Sequence, residues 1–362
     1  MILLRFLFLF PPSLLYQLIT GIRNYLYNQR WLISYRFDIP IISVGNLSMG
    51  GTGKSPHIIF LAKLLQKEYT PAILSRGYKR KSRGYLLAMP GMTAADLGDE
   101  PYMFFKKLPG VAVAVSADRL TAVPQLCQDV PSAVVILLDD AFQHRSIKPG
   151  LNILLTSYHH LYPDDSIFPL GTLRESSASA DRADIILVTK SPEGLSLEEK
   201  KQVIAKLNPH KWQKVYFSSV RYGQMYSLAD YSPVISPDTK NHVLLVSGIA
   251  DPYPLEKFLH SNYPKVTTRF FPDHYAFTRW DMESLYETWQ HLDGSKVMMT
   301  TEKDAARLQP FSEWLKQKGI EVVVIPIFIY FEPSEWQGFT SDIHLFMTFK
   351  GDTKTTKHGH DI

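Results

Sequence analysis

The sequence contains one cysteine, Cys127, among its 362 residues, so it offers neither a disulfide framework nor a cysteine-based zinc site. The fold must therefore be held together by packing, for which a hydrophobic content of 45% is ordinary. Long hydrophobic runs are also missing. Residues 1–10 are nearly all apolar, but such a run is too short for the ~30 Å of a bilayer's hydrocarbon. Because Pro11-Pro12 is expected to end it, the sequence predicts no transmembrane span there.

Acidic residues and lysine are absent from residues 1–36, which hold four arginines. The whole chain has 39 basic and 35 acidic residues and a formal net charge of +4. Without the four N-terminal arginines, the remaining residues include 35 basic and 35 acidic side chains. The positive excess is therefore confined to the N-terminus. Nothing indicates a nucleic-acid-binding face, and we expect no nucleic-acid partner.

A helix with one apolar stripe is predicted from Ser13, which would serve as its N-cap. The stripe consists of Leu14, Leu15, Leu18, Ile19, Ile22, Tyr25 and Leu26. Arginines and aromatic residues are interleaved along the same segment, a composition typical of a helix at a membrane surface. Periodicity alone fits equally well a stripe that packs on the protein's own core. A cleaved signal peptide is a third interpretation, although no small-residue cleavage pattern follows.

The chain is organised around a glycine-rich segment, Gly45 to Ser55, which follows the strand-like residues 39–44 and precedes a helical pattern. A strand, a glycine loop and a helix in that order gather backbone N–H groups around one point, as a polyphosphate requires. Lys54 would reach the β- and γ-phosphates, and Ser55 would bind Mg²⁺. The predicted phosphate-binding residues are Gly50, Gly51, Thr52, Gly53, Lys54 and Ser55. Ser48 replaces the usual first glycine, so a glycine-rich turn that happens to carry a lysine is the alternative.

Two adjacent acids, Asp139 and Asp140, come directly after the apolar strand at 134–138. Neighbouring carboxylates repel each other, which is tolerable chiefly where a cation lies beside them. They therefore predict a Mg²⁺ position in a phosphate site, and an ordinary Asp-Asp turn is the alternative.

A second acidic turn, with Asp99 and Glu100, lies before the helical stretch at 102–107. Either carboxylate would cap that helix or act as a general base that takes a hydroxyl proton. The residues alone leave both interpretations open.

Buried strands alternate with helical stretches, a pattern that predicts an α/β fold with a P-loop NTPase-like, doubly wound parallel sheet. We place this first domain at 37–224 and a second, smaller α/β domain at 241–330, with 321–329 as its last strand. The segment at 225–240, rich in Tyr, Ser and Pro, is the linker candidate. The remaining assignments are an amphipathic membrane-associated segment at 1–36, a C-terminal return segment at 331–350 and a disordered tail at 351–362.

Short motifs along the chain resemble, in order, those of one family. They are GN at 45–46 with GGTGKSP at 50–56, SRGY at 75–78, GDEP at 98–101, DDAFQH at 139–144, LRE at 173–175, FPDH at 271–274 and TEKDA at 301–305. Together they are far more specific than the phosphate loop alone, and they cover about residues 1–330. The chain resembles the tetraacyldisaccharide 4'-kinases, which are the lipid A 4'-kinases of Gram-negative bacteria.

This resemblance implies ATP-dependent phosphoryl transfer to the 4'-hydroxyl of a lipid A disaccharide 1-phosphate at the cytoplasmic face of the inner membrane. It implies ATP and Mg²⁺ as cofactors, a membrane surface as the partner of the N-terminal helix, and no obligate protein partner. It further implies two α/β/α domains joined by a short two-stranded linker. The first would hold the phosphates and the second would close over the site.

The resemblance also implies a catalytic base, Asp99, supported by His274. The pairing is chemically reasonable, because a histidine beside a carboxylate can orient it and take up the relayed proton. The family usually has a second histidine after the first, and this chain has Tyr275, which leaves His274 as the sole relay candidate.

The residues that the resemblance implies at magnesium or phosphate positions are Ser55, Asp139, Asp140 and Glu175. Arg174 is suited to neutralise charge on the transferring phosphoryl group, together with Lys54. Ala141 stands where the family usually has glycine, so the turn must be reachable there without a positive φ.

A membrane-associated switch ATPase of the septum-placement and partition class is the alternative from another functional class, because it also has a GGxGK[ST] loop. Those proteins carry a lysine immediately before the glycine pair, where this chain has Met49. Their membrane helix also tends to be C-terminal. Dimerisation on ATP binding without lipid phosphorylation would favour the switch.

Overall fold

The computed structural model describes residues 2–235 and 242–355. The chain begins with a long helix, α1 (Ile2–Asn28). Two α/β units follow, each built on its own sheet, and a two-stranded ribbon joins them. A second, smaller α/β unit is therefore present, as the fold prediction stated.

The first unit is built on an eight-stranded sheet. Its strands are β1 (Ile41–Asn46), β2 (Pro71–Ser75), β3 (Leu86–Leu87), β4 (Ala112–Val115), β5 (Val135–Asp139), β6 (Leu151–Ser157), β7 (Ile185–Thr189) and β8 (Lys214–Phe217). The spatial order is β3-β4-β2-β5-β1-β6-β7-β8, and every pairing except β3 with β4 is parallel. Because β1 and β5 are neighbours, the loops that follow them lie side by side at one edge.

Helices cover both faces of this sheet. They are α2 (Lys54–Leu65), α3 (Ala94–Leu97), α4 (Asp99–Lys107), α5 (Arg119–Asp129) and α6 (Leu197–Leu207). Ile73 and Leu137 pack in one core with α2 and α4, whereas their neighbours Leu74 and Leu138 pack in another core with α5. Burial on both faces explains why these strands read as continuous apolar runs. The predicted doubly wound sheet is confirmed.

The next strands belong either to the second unit or to the ribbon. These are β9 (Ser219–Tyr222), β10 (Tyr226–Ser227), β11 (His242–Ser247), β12 (Lys265–Phe270), β13 (Lys296–Thr301), β14 (Val322–Ile325) and β15 (Ile327–Tyr330). A five-stranded sheet has the order β10-β14-β13-β11-β12 and is parallel except at β10. Its helices are α7 (Tyr253–Asn262), α8 (Arg279–Gln290), α9 (Glu302–Leu308) and α10 (Ser312–Gln317).

The ribbon that joins the units consists of β9 and β15, paired antiparallel. The single strand predicted at 321–329 is wrong, because the chain forms β14 and β15 with Pro326 between them. Proline donates no N–H to a sheet, and the chain passes here from the second sheet into the ribbon. The linker was predicted at 225–240. Within that segment β10 belongs to the second sheet, and residues 236–240 lie outside the described residues.

Helix α1 differs from the prediction in its first half. Pro11 and Pro12 lie inside the helix instead of ending the run before it. Ser13 is not an N-cap, since its hydroxyl donates to the carbonyl oxygen of Ile167 at 2.8 Å and ties the helix to the first unit. A proline inside a helix costs a hydrogen bond and crowds the carbonyl four residues earlier, and the contact of Ser13 with Ile167 helps to hold the helix at that point. Among the described helices, none combines the length and the apolar character that a bilayer span requires.

The last helix, α11 (Pro333–Thr355), returns from the ribbon to the first unit. Phe339, Ile343 and Met347 are buried in the core that contains β1 and α2. The helix covers residues 333–350 of the predicted return segment and continues through residues 351–355 of the predicted disordered tail. Residues 356–362 lie outside the described residues.

Candidate active site

The phosphate loop joins β1 to α2, which is the strand-loop-helix arrangement predicted from the sequence. Gly50 and Gly53 adopt φ angles of 117° and 84°, which L side chains rarely adopt. The ring of buried His57 lies 2.7 Å through Nδ1 from the Gly53 carbonyl oxygen and 3.0 Å through Nε2 from Ser218 Oγ. Burial lowers the pKa of His57 to about 4, which keeps the ring neutral. Since a carbonyl only accepts, Nδ1 donates to Gly53 and holds the last turn of the loop.

Lys54 is directed at the turn that follows β5. Its Nζ lies 3.2 Å from Asn46 Oδ1 and 3.6 Å from Asp140 Oδ1. Arg174 Nη1 donates to both carboxylate oxygens of Asp140, at 2.9 and 3.0 Å. Burial alone would raise the pKa of Asp140, but the charges of Lys54 and Arg174 outweigh it and hold the pKa below its usual value. The structure thus brings three predicted site residues together, with both cations directed at one carboxylate.

Asp139, at the end of β5, is fully buried. Its Oδ2 accepts a hydrogen bond from Ser75 Oγ at 2.8 Å, whereas Oδ1 has no hydrogen-bond partner. Burial, followed by the charges of Glu100 and Asp140, raises the pKa of Asp139 to about 7. The positive φ of this turn, 46°, falls on Asp140 and not on Ala141, which explains why alanine is accommodated there.

Ser55, in the first turn of α2, donates to Glu100 Oε1 at 2.7 Å. Lys303 Nζ, from α9 of the second unit, donates to the same oxygen at 3.0 Å across 203 residues of sequence. Burial alone would raise the pKa of Glu100, but the charge of Lys303 and the hydrogen bond from Ser55 hold it below its usual value. Helices α4 and α9 therefore meet directly beside the phosphate loop.

Asp99, the first residue of α4, lies where the two units meet. Its Oδ2 accepts a hydrogen bond from Arg307 Nε of α9 at 2.9 Å and lies 3.2 Å from Nδ1 of His274, which follows β12. Burial alone would raise the pKa of Asp99. The hydrogen bond with His274 and the charge of Arg307 outweigh this effect, so the pKa is lowered and the carboxylate is ionised at neutral pH. The structure brings the predicted base and its predicted histidine into contact.

Glu175 is buried in a different set of contacts. Its Oε1 accepts from Arg182 at 2.7 Å and from Gln143 at 3.0 Å, and its Oε2 accepts from Asn24 of α1 at 2.7 Å. Within the described chain, no hydrogen bond or ion pair joins it to the other predicted metal ligands, Ser55, Asp139 and Asp140. Among the described residues, no group of three or more histidine, cysteine or carboxylate side chains is placed to hold a metal ion.

Comparison with known proteins decides the family. The model for the family described as LpxK, tetraacyldisaccharide-1-P 4'-kinase, matches residues 5–343 of this chain. The chain belongs to the tetraacyldisaccharide 4'-kinase family. The resemblance drawn from the motifs is therefore confirmed.

Individual relatives agree with this assignment. The tetraacyldisaccharide 4'-kinase of Bacteroides thetaiotaomicron is 44% identical over 313 residues, which cover 83% of this chain and 82% of that protein. The one of Flavobacterium johnsoniae is 45% identical over 301 residues, which cover 83% and 87%. A crystal structure of LpxK from Aquifex aeolicus in complex with ATP has a TM-score of 0.73 at 29% identity and covers 93% of this chain and 98% of its own.

Sequence reasoning missed two charged residues of this 4'-kinase family member, namely Lys303 and Arg307, and it did not find the contacts of Glu100. Glu100 and Lys303 lie inside the GDEP and TEKDA motifs, which marked the segments but not their contacts. Arg307 follows Lys303 by four residues on α9, so the two side chains share one helix face. That spacing was the signal available for Arg307.

Proposed function

We propose that this kinase transfers the γ-phosphate of ATP to the 4'-hydroxyl of a lipid A disaccharide 1-phosphate and forms a lipid IVA-type product. The hydrogen bond from Ser55 to Glu100 carries the proposal, because it sets the neighbour of Asp99 against the first turn of the phosphate-loop helix. A hydroxyl acceptor and a triphosphate site then adjoin, as transfer requires. Family membership supports the lipid acceptor, and the ATP in the Aquifex aeolicus structure supports the phosphate donor.

The phosphate loop supplies the binding groups for the ATP phosphates. Its members are Gly50, Gly51, Thr52, Gly53, Lys54 and Ser55. Lys54 and Arg174 now face Asp140, and a bound triphosphate would replace that carboxylate as their partner. Both cations would then neutralise charge that develops on the transferred group.

The carboxylates beside the loop fit Mg²⁺, which would neutralise charge on the phosphates when bound. Asp139 Oδ1 is a buried acceptor without a hydrogen-bond partner, and a cation would satisfy it. We assign Ser55, Asp139 and Asp140 to this ion. Glu175 was the fourth predicted ligand; its contacts with Arg182 and Asn24 favour a role in joining α1 to the site.

Asp99 accepts the proton of the 4'-hydroxyl as the sugar oxygen bonds to the γ-phosphorus and the bond to the bridging oxygen of the ADP leaving group breaks. His274 orients the carboxylate and is the relay for the proton. Because the transition state is loose, positioning and charge neutralisation provide most of the rate.

The direct test uses purified protein, radiolabelled ATP, Mg²⁺ and a lipid A disaccharide 1-phosphate in detergent, with labelled lipid as the expected product. Asp99→Ala should lower turnover by ~10²-fold or more while ATP affinity is kept. Asp164→Ala, which removes an exposed carboxylate of the same unit, is the matched control. Unchanged turnover of Asp99→Ala would remove Asp99 from this role. ATP-dependent dimerisation without labelled lipid would instead support the switch ATPase.

The exposed residues of helix α1 support the proposal that this protein binds a membrane surface. Its residues Leu14, Leu15, Leu18, Ile19, Ile22 and Tyr25 are each between 51% and 58% exposed. The opposite side of the helix contacts the protein, through Ser13 on Ile167 and Asn24 on Glu175. The apolar stripe is thus left uncovered beside the N-terminal arginines, and we propose that it lies in the cytoplasmic face of the inner membrane.

Co-sedimentation with vesicles of phosphatidylglycerol and phosphatidylethanolamine tests the stripe. Leu18→Glu/Ile22→Glu should weaken binding by at least about tenfold, since each side chain loses roughly 1 kcal/mol or more of apolar burial. The control Leu197→Glu/Ile235→Glu adds the same charges at positions that are 78% and 92% exposed. Equal loss in both double variants would argue against a membrane role for the stripe.

A further inference from the structure

The two carboxylate oxygens of Asp99 have different surroundings. Oδ2 contacts Arg307 Nε and His274 Nδ1, whereas Oδ1 makes no hydrogen bond or ion pair within the described chain. The side chain keeps 25% of its accessible surface. Oδ1 is therefore the oxygen that is available to a substrate hydroxyl.

Arg307 is fixed inside the second unit. Its Nη1 donates to Asp304 Oδ1 and to the Gly248 carbonyl oxygen, both at 3.1 Å. Asp304 is fully buried, and its other oxygen accepts from Thr301 Oγ1 at 2.7 Å and from the Gly248 N–H at 3.0 Å. The Arg307 side chain is only 6% exposed. A guanidinium held in this way determines where the Asp99 carboxylate can lie, and not the reverse.

His274 also contacts Oδ2 of Asp99, but its contact is less strictly determined than that of Arg307. Its Nδ1 lies 3.3 Å from Arg307 Nη2 and 3.2 Å from Asp99 Oδ2. Facing a guanidinium N–H this nitrogen would accept, whereas facing an ionised carboxylate it would donate, and one ring nitrogen cannot do both at once. The contact of Arg307 with Asp99 involves no such choice, because the roles of donor and acceptor are fixed.

We propose that Arg307 is a positioning residue that fixes Oδ2 of Asp99 from across the junction of the two units and so directs Oδ1 at the substrate hydroxyl. The carboxylate is correctly oriented only when α9 lies against α4. The second unit would then control the chemical step through the orientation of the base. This inference rests on the assignment of Asp99 as the base in the proposed function.

Steady-state kinetics of Arg307→Gln tests the inference. We expect kcat to fall roughly 10- to 100-fold, as for the loss of a charge-assisted hydrogen bond, while the KM for ATP stays within about twofold. Arg279→Gln removes an exposed arginine paired with Glu283 in the same unit, and both constants should be unchanged. Arg307→Lys keeps the charge but not the fork of donors, so its kcat should lie between wild type and Arg307→Gln. A raised KM for ATP at unchanged kcat would overturn the inference.

A double-mutant cycle separates orientation of Asp99 from a general structural effect. In the Asp99→Asn background, Arg307→Gln should lower the residual kcat by less than about twofold, because the carboxylate through which Arg307 acts is gone. An equal loss in both backgrounds would overturn the inference and leave the base in place. Wild-type turnover of Asp99→Asn would overturn the base itself. If a thermal melt shows that the glutamine variant does not fold, Arg307→Lys takes its place in the same cycle.

Discussion

The proposed site has a nucleotide half, which contains Lys54, Arg174 and Asp140, and a base half, which contains Asp99 and its partners. The two halves are assembled differently. Lys54 and Arg174 both contact Asp140, and all three belong to the first unit: Lys54 begins α2, and the other two lie in loops. The proposed base half spans both units, because Asp99 of the first contacts Arg307 of the second. In the proposed assignment, the residues that face the ATP phosphates therefore belong to the first unit, whereas the proposed base is held in place by the second.

The pKa of a buried carboxylate is shifted in opposite directions in the two halves. Burial and the charges of Glu100 and Asp140 raise the pKa of Asp139 to about 7, whereas the pKa of Asp99 is lowered despite its burial. The difference lies in the partners of each carboxylate. His274 and Arg307 both contact Oδ2 of Asp99, whereas burial and acidic neighbours outweigh the hydrogen bond from Ser75 and the charge of Arg119 at Asp139. Asp139 is the carboxylate that still requires positive charge, which fits a metal position, and Asp99 is the one already supplied with it.

Lys54→Ala should give the largest effect and show the nucleotide half alone. Loss of this point charge is expected to lower kcat/KM for ATP by roughly 10³-fold, with ATP affinity much reduced as well. Asp99→Ala should give the opposite pattern, with turnover reduced and binding kept. ATP binding is measured by calorimetry and turnover by the lipid assay. Lys63→Ala, an exposed lysine in the last turn of the same helix, is the control. Normal ATP affinity in Lys54→Ala would break the comparison.

The nucleotide half was predictable because its signals are local. The glycine positions, Lys54 and Ser55 lie within a few residues of each other, and their geometry follows from one strand, one loop and one helix. Asp139 and Asp140 were predictable because a buried strand ends there and neighbouring parallel strands end at the same edge.

The base half was predictable only in part. The contacts of Glu100 with Lys303 and of Asp99 with Arg307 span 203 and 208 residues, and no periodicity in the sequence encodes them. Glu100 also stands in the first turn of α4, where an acid is expected simply from helix capping. The partner of such a residue becomes visible only when the two units are placed together.

Proline accounts for two errors in the fold, and in opposite directions. Pro11 and Pro12 were expected to stop a helix that in fact contains them, whereas Pro326 interrupts what was expected to be one strand. At both positions proline has no backbone N–H to donate. A contact distant in sequence decides the outcome: Ser13 on Ile167 holds the helix, and pairing with β9 draws the chain out of the second sheet.

A smaller effect, on the acid side of the pH profile, would sharpen the comparison. Burial raises the pKa of Asp99, and the hydrogen bond with His274 and the charge of Arg307 lower it to below the ordinary value. Behind these partners lie Asp273, 3.8 Å from His274, and Asp304, 3.1 Å from Arg307. In Arg307→Gln one lowering contribution is lost while burial remains, so the base becomes protonated at a higher pH. Activity should therefore fail earlier on acidification than in wild type.

The measurement is kcat between about pH 3 and pH 8, at substrate concentrations that saturate each variant. The acid limb of Arg307→Gln should lie at higher pH than that of wild type, and that of Arg279→Gln should coincide with wild type. Lys54→Ala lies in the other half of the site, so its residual activity should keep the wild-type acid limb despite the much lower rate. Superimposable limbs for wild type and Arg307→Gln would mean that Arg307 does not act on the ionisation of Asp99. A shifted acid limb in Lys54→Ala would mean that the charge of Lys54 also affects the pKa of Asp99, so that the two halves do not ionise independently.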